Sequence, residues 1–412
     1  MTMIVEPLTA TDAAASRPAE TERSAHRQID DIELLRGIAI LFVLVEHLSF
    51  NLVTWRSPPL ELIRSYFGLW TGVDLFFAIS GFVIARSLLP VLDGCAGPLQ
   101  YWNATLAFWV KRGWRLLPSA WLWLAVPMLA SICFNASNAF GPIASNLAMT
   151  VAALFNVANI HVQEQAGHQP LGAAFPYWSL SLEEQFYLLL PVLACAARRH
   201  LPWVLAGLVL LQLFLPRQDM PNLVNLRSDA LLLGVLIAIW AQHPSHRQCE
   251  PTGLARSLPA RLAMLALPLW LIASMGSDTL KIVPFRFGVV AVLSALLVFV
   301  ASYDRDYLMR PGLLKRVMMW FGSRSYALYL THIPAFALTR EIWYRIEPPG
   351  TAFGTGAFAG RYAVTALCLL FCFAELNFRF VETPLRRRGA GIAARLAGRT
   401  LPTRQQGPQC CP

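Results

Sequence analysis

The chain has 412 residues, of which 56% are hydrophobic and only 14% are charged, and its mean hydropathy is +0.49. A soluble domain carries about 25% charged residues, so this composition excludes an ordinary soluble globular protein. The net charge of +10 does not indicate nucleic-acid binding, because the basic residues lie in short segments between apolar runs. The eight cysteines include no CxxC pair, so the sequence predicts neither a metal site nor a disulfide framework.

Apolar runs recur along nearly the whole chain, which predicts an all-α, polytopic membrane helix bundle with about ten transmembrane helices. The ten predicted spans are 34–54, 66–90, 116–134, 178–197, 201–215, 228–242, 261–276, 287–303, 325–345 and 359–381. Ten spans place most of the loop lysines and arginines on one side, whereas an eleventh span at 146–160 would scramble this asymmetry. We therefore predict that both termini are cytoplasmic and that 146–160 is an interfacial or re-entrant helix.

The polar residues 1–30 are predicted to be a disordered cytoplasmic tail, followed by one membrane domain over 31–384. The remaining residues, 385–412, are basic and contain glycine and proline, which favours a second disordered cytoplasmic tail. We expect no further soluble domain after it.

The most informative run is Glu33–Phe50, an apolar stretch predicted to be helical that carries Arg36 and His47. An ionisable side chain in such a run is costly unless it is paired or wetted, so it indicates a functional site. Eleven residues make about three helical turns, which places Arg36 and His47 on one face, roughly 16 Å apart along the axis. A histidine that merely packs within the bundle would fit the same position.

Asp74, near the outer end of the second span, is predicted to lie at the same depth as His47. A carboxylate bonded to one imidazole nitrogen would fix the tautomer and make the other nitrogen a general base. The alternative is a carboxylate that stabilises the positive end of its own helix.

Arg112 and Arg115 are three residues apart, so on a helix they face the same way and suit phosphate binding. Anchoring of a cytoplasmic helix end is the alternative. Glu183 and Glu184 begin the fourth span, and Glu183 is the better candidate for a polar cavity.

The ninth span contains Tyr329 and His332, less than one turn apart, which we predict to contact substrate. A histidine satisfied within the core is an equally good interpretation of His332. In the last span, Glu375 and Arg379 are four residues apart and are predicted to form an intrahelical ion pair.

Six motifs in series carry a family resemblance. They are LRGIAILFVLVEH (35–47), GVDLFFAISGFVI (72–84), the RxxR of Arg112–Arg115, WSLSLEEQFYLLLP (178–191), SYALYLTHIP (325–334) and FVETPLRR (380–387). Over about residues 29–388 the chain resembles the acyltransferase-3 family of integral membrane O-acyltransferases. The resemblance implies a ten-helix domain that transfers an acyl group, usually acetyl from acetyl-CoA, to a hydroxyl, most often of a surface sugar.

The resemblance also assigns roles residue by residue. The essential histidine of the family falls on His47, the arginine of its LR pair on Arg36, its RxxR on Arg112 and Arg115, and its acidic residue on Glu183. Two positions depart from the family pattern: Glu33 stands where many relatives have Asp, and Glu46 where an aromatic or small residue is common.

We expect a multi-pass protein of the cell inner membrane that acylates a sugar hydroxyl of a surface or exported polysaccharide, glycolipid or lipo-oligosaccharide. The predicted catalytic residues are His47, Asp74 and Glu183, with the base His47 oriented by Asp74. The predicted partners are acyl-CoA as co-substrate, with no permanently bound cofactor, a sugar or glycolipid acceptor and the lipid bilayer. The predicted acyl-CoA contacts are Arg36, Arg112 and Arg115. The alternatives are a glycolipid transporter or flippase without acyl transfer, and acylation of a small secreted metabolite such as a macrolide.

Overall fold

A computed structural model describes residues 29–165, 171–217, 227–277, 279–280 and 283–398. Its regular elements are helical throughout these residues, as predicted for an all-α protein. Nearly all of the predicted N-terminal tail and the end of the C-terminal tail lie outside the described residues.

Fifteen helices are labelled here in chain order. The first eight are α1 (Asp30–Glu46), α2 (Pro58–Tyr66), α3 (Gly72–Asp93), α4 (Pro98–Cys133), α5 (Ile143–Leu154), α6 (Ala158–Gln165), α7 (Tyr177–Ala197) and α8 (Leu201–Leu213). The others are α9 (Asp229–Trp240), α10 (Leu258–Met275), α11 (Arg286–Ala301), α12 (Leu313–Ser323), α13 (Ser325–Ile346), α14 (Ala359–Leu376) and α15 (Thr383–Gly398). Short turns of helix at Leu48–Asn51, Leu69–Thr71, Arg198–His200, Pro244–Gln248 and Gly253–Arg256 lie between them, and a π-helix, Asn377–Glu382, joins α14 to α15.

Each predicted span overlaps one of these helices. Within the described residues, five helical stretches are long and apolar enough to cross a membrane: Leu69–Asp93, Pro98–Cys133, Tyr177–Leu213, Leu258–Met275 and Ala359–Ala397. A membrane protein is therefore supported, while ten crossings and cytoplasmic termini stay predictions. The segment predicted as interfacial or re-entrant, 146–160, overlaps α5, whose 12 residues measure only about 18 Å.

Two predictions about local structure are wrong. The third span is predicted to begin at residue 116, whereas α4 begins at Pro98 and runs for 36 residues. The predicted disorder of 385–412 fails as far as residue 398, since α15 is helical and packs along α4. A Cβ atom at Gly389 would lie 2.3 Å from the Cβ of Trp114, so the two helices are in close contact.

Helix α1 lies in the centre of the bundle, against α3, α11, α12 and α13. Most of its apolar side chains are buried, among them Leu34, Leu35 and Ile40. Glycines allow its neighbour to approach closely: a Cβ at Gly37 would lie 2.1 Å from the carbonyl oxygen of Met318 in α12. Because α1 is enclosed on several sides, its polar residues face the interior of the bundle.

Candidate active site

Arg36 and His47 occupy opposite ends of α1. The helix ends at Glu46 and not at the predicted Phe50, since Phe50 has φ +68° and Ser49 is also non-helical. His47 follows the last helical residue with φ −83° and ψ −1°, so the helical path is kept as far as its side chain. The predicted separation of roughly 16 Å along the axis therefore stands.

The Arg36 end of α1 borders a small cavity of about 80 Å³ between α1, α3, α4, α7 and α13, which we call the arginine pocket. It is lined by five of the predicted site residues, Arg36, Arg112, Arg115, Glu183 and Tyr329. Polar side chains that the sequence did not single out complete it, including those of Ser80, Ser179, Tyr187 and Ser325. Arg36 is on α1, whereas Arg112 and Arg115 are on α4, so the fold brings the three arginines together.

The charges of the arginine pocket are only partly compensated. Arg36 donates a hydrogen bond to Glu33 over 2.8 Å, whereas the hydroxyl of Tyr187 bonds Glu183. The guanidinium of Arg112 lies 5.4 Å from the ring centroid of Tyr187, and the buried Nε of Arg115 has no hydrogen-bond partner. Unused guanidinium donors beside a cavity suit an anion that presents several acceptor oxygens, such as a phosphate.

A larger cavity, of about 720 Å³, lies at the opposite ends of α3 and α7, where Tyr101 and Arg198 contribute to its walls. It includes none of the predicted site residues. The arginine pocket is therefore the candidate site, although it is the smaller of the two cavities.

At the other end of α1, His47 meets His332 of α13. The Nδ1 atom of His47 and the Nε2 atom of His332 are 3.1 Å apart, and the ring of Phe175 packs edge-on at 5.2 Å from that of His47. The predicted hydrogen bond between His47 and Asp74 is wrong, because both carboxylate oxygens of Asp74 are bonded to Arg227.

The Asp74–Arg227 pair is deeply buried. Arg227 is 4% exposed and Asp74 is fully buried, and the Nε of Arg227 donates to Oδ1 over 2.7 Å. The guanidinium also lies 4.4 Å from the ring centroid of Trp70. Such a bidentate pair fixes α3 to the start of α9, so its evident role is structural.

Replacement of Asp74 by alanine should therefore destabilise the protein rather than remove an orienting partner from His47. An isolated buried guanidinium costs about 3–5 kcal/mol, which would lower the denaturation midpoint in detergent markedly. The double variant Asp74→Leu/Arg227→Met removes both charges and should recover most of that loss, with the activity per folded molecule unchanged. A well-folded double variant without activity would restore Asp74 to the catalytic set.

A chain of polar contacts connects the arginine pocket with the two histidines. Tyr329 lines the pocket, and its hydroxyl lies 2.7 Å from Ser179 Oγ and donates to the carbonyl of Pro176 over 2.9 Å. The backbone carbonyl of the same tyrosine accepts a hydrogen bond from His332 Nδ1 over 2.6 Å. One turn of α13 thus joins the pocket to His47.

Comparison with known proteins gives the family of this chain. The family model for the acyltransferase domain of acyltransferase-3 proteins matches residues 29–374. The chain belongs to the acyltransferase-3 family. The resemblance inferred from the six motifs is thereby confirmed.

Curated acyltransferase-3 relatives include peptidoglycan O-acetyltransferase OatA of Listeria monocytogenes, which is 27% identical over 90% of this chain and 57% of its own length. The putative peptidoglycan O-acetyltransferase YrhL of Bacillus subtilis is 28% identical over 88% of this chain and 56% of its own length. A putative O-acetyltransferase of Staphylococcus aureus is 25% identical over 90% of the chain and 59% of its own length. The chain thus spans less than three fifths of the length of the relatives it matches. No solved structure matches it.

The acyltransferase-3 motif at the end of the chain contains a residue to which the sequence assigned no role. Glu382 ends the π-helix, is 2% exposed, and its Oε2 atom has no hydrogen-bond partner. Arg115 exerts the strongest of the attractive charge interactions on it, followed by Arg386 and Arg36. Its motif, FVETPLRR, was visible in sequence, but the distance of more than 250 residues from Arg115 hid this charge interaction.

The acidic residue of the preceding helix, α14, behaves as predicted. Glu375 accepts a hydrogen bond from Arg379 over 2.5 Å, which confirms the intrahelical ion pair. It also pairs with Arg324 over 2.9 Å, and so ties α14 to the start of α13. A structural role accounts for all of these contacts.

Proposed function

We propose that this protein is a multi-pass enzyme of the cytoplasmic membrane that transfers an acetyl group from acetyl-CoA to a sugar hydroxyl of peptidoglycan. The observation that carries the proposal is the convergence of Arg36, Arg112 and Arg115 in one pocket, joined to His47 through α13. The membership of the acyltransferase-3 family supports the reaction class, and the names of two relatives support the acceptor.

The arginine pocket is assigned to the phosphate groups of the donor. Its volume of about 80 Å³ is too small for a whole coenzyme A, so only the phosphates are placed there. From Arg36 the axis of α1 runs roughly 16 Å to His47, a length that an extended pantetheine arm can span. The thioester would then lie beside the imidazole while the phosphates stay on the guanidinium groups.

His47 is assigned the role of general base. It removes the proton of the acceptor hydroxyl as the oxygen attacks the thioester carbonyl carbon, and the carbon–sulfur bond then breaks. The leaving thiolate recovers the proton from the imidazolium, which yields coenzyme A and the acetyl ester. Glu183, held by Tyr187, is proposed to balance the positive charge of Arg112 near the donor.

The donor assignment predicts the effect of neutralising the pocket. Arg112→Gln and Arg115→Gln should each raise the KM for acetyl-CoA by about 10–100-fold, since a charge-assisted hydrogen bond contributes about 1.5–3 kcal/mol. The matched control is Lys111→Gln, which removes a neighbouring exposed charge that does not line the pocket. The measurement is acetyl transfer to a muropeptide acceptor by protein in nanodiscs, over a range of acetyl-CoA concentrations.

Two outcomes would contradict the proposal. If all three variants had the KM of the unmodified protein, the pocket would not bind the donor. If the protein moved a lipid-linked glycan across a vesicle membrane without consuming acetyl-CoA, the chain would be a flippase. Loss of acetylated muropeptides from cells that lack the gene, restored by the intact protein, would instead support the acceptor.

A further inference from the structure

His332 is held at both ring nitrogens. Its side chain is fully buried, with Nδ1 2.6 Å from the backbone carbonyl oxygen of Tyr329 and Nε2 3.1 Å from Nδ1 of His47. Phe336, one turn further along α13, packs against the ring at 6.0 Å. Neither nitrogen is left to contact a substrate, so the substrate-binding role predicted for His332 does not fit its surroundings.

The two contacts determine where the protons lie. A carbonyl oxygen only accepts hydrogen bonds, so the Nδ1 atom of His332 must carry a hydrogen. A charged imidazolium would be costly in this buried position, where the neighbouring ring is another histidine. His332 is therefore neutral, and its Nε2 atom is a hydrogen-bond acceptor.

The same reasoning applies to the ring of His47. An accepting Nε2 on His332 requires a hydrogen on Nδ1 of His47, because the two nitrogens share one hydrogen bond. Neutral His47 then has its lone pair on Nε2. The backbone carbonyl of Val43, one turn earlier on α1, is a further hydrogen-bond acceptor for the ring of His47.

We propose that His332 is a positioning residue that sets the tautomer of His47, so that Nε2 of His47 is the basic atom. The inference rests on the proposed function, in which His47 is the base, but it concerns a different residue. When Nε2 of His47 takes the acceptor proton, the Nδ1–H bond to His332 persists and strengthens, since its donor is then charged.

A neutral partner has a chemical consequence that a carboxylate would not have. With His332 in place of an aspartate, the site carries no added negative charge before the reaction. The positive charge on His47 exists only between the attack of the hydroxyl and the return of the proton to the thiolate. His332 thus orients the base without forming a permanent ion pair in an apolar interior.

The first test is spectroscopic and independent of turnover. Protein labelled with ¹⁵N-histidine in nanodiscs gives nitrogen shifts that distinguish protonated from bare ring nitrogens, and His47→Gln identifies the signals of His47. The expected result is a single His47 tautomer with hydrogen on Nδ1. In His332→Phe, which fills the same space without an acceptor, a mixture of both tautomers should appear. His47 protonated on Nε2 in the unmodified protein, or an unchanged tautomer in His332→Phe, would overturn the proposal.

The second test uses activity with a conservative rescue. His332→Phe should lower kcat by about 10–100-fold, the usual cost of losing a group that orients another, with little change in the KM for acetyl-CoA. His332→Gln supplies an amide oxygen as acceptor and should keep most of the activity and the Nδ1–H tautomer. Equal losses in the two well-folded variants would contradict the positioning role. If the tautomer changes as expected while His47→Gln remains active, the proposed function fails and the tautomer assignment stands.

Discussion

Replacement of His47 by glutamine is expected to lower the rate of acetyl transfer by about 10²–10⁴-fold, the contribution usual for a general base. The carboxamide keeps a polar side chain beside His332 but cannot take the acceptor proton. Because the arginine pocket lies roughly 16 Å away along α1, the KM for acetyl-CoA should change little. The measurement is the initial rate of transfer to a muropeptide, normalised to folded protein.

A matched control uses another histidine of the chain. His200→Gln changes an exposed side chain whose Nε2 accepts a hydrogen bond from its neighbour Arg199 and which does not line the arginine pocket. It should have the rate and thermal stability of the unmodified protein. Retention of full activity by well-folded His47→Gln would exclude His47 as the base and would leave the arginine pocket as an anion site without a known reaction.

Helix positions could be predicted from sequence because each span is a long apolar run with polar ends. Hydropathy locates such runs independently of what surrounds them, and every predicted span overlaps a helix. The ends of helices were less predictable. The amphipathic stretch from Pro98 to Lys111 has too little apolar character to read as a span, yet it continues α4 without interruption.

The site was predictable as far as a single helix determines it. The spacing of Arg36 and His47 sets their common face, and the spacing of Arg112 and Arg115 does the same on α4. Contacts between helices were not predictable in this way. Depth alone suggested Asp74 as the partner of His47, but depth does not give the direction in which a side chain leaves its helix.

Arg227, the partner of Asp74, lies 153 residues away, two residues before α9 begins. No local pattern connects the two positions, because Arg227 lies just outside the span predicted at 228–242. The partner of His47 lies 285 residues away, at His332. Sequence analysis identified His332 as a candidate residue, but only the packing of α13 against α1 shows what it contacts.

The second large effect, on the stability of the protein, is expected when the glycines at the crossing of α3 and α9 are substituted. A Cβ at Gly81 would lie 2.0 Å from the carbonyl oxygen of Leu231, and one at Gly234 would lie 2.2 Å from the carbonyl oxygen of Ala78. Both obstacles are backbone atoms of the facing helix, so no side chain can rotate to make room. Helix association in membranes depends on such close approach because lipid provides no hydrophobic driving force between helices.

Gly81→Ala is therefore expected to destabilise the protein by about 3 kcal/mol or more, the upper part of the range for overpacked cores. The double variant Gly81→Ala/Gly234→Ala should not fold. Gly207→Ala is the matched control, since it adds the same methyl group within α8 where nothing lies within 4 Å. Alanine favours a helix interior by about 1 kcal/mol over glycine, so this variant should be as stable as the unmodified protein or more so.

The measurement for the glycine series is the denaturation midpoint of purified protein in detergent, together with the yield of monodisperse protein. The Asp74–Arg227 pair joins the same two elements near one end of α3, so a shift of this crossing would also strain that pair. The rate of acetyl transfer should consequently fall in proportion to the folded fraction. The KM for acetyl-CoA of the remaining folded molecules should be unchanged. Equal midpoints for Gly81→Ala and Gly207→Ala would mean that α3 and α9 are not in close contact and that the buried ion pair between them is not formed as described.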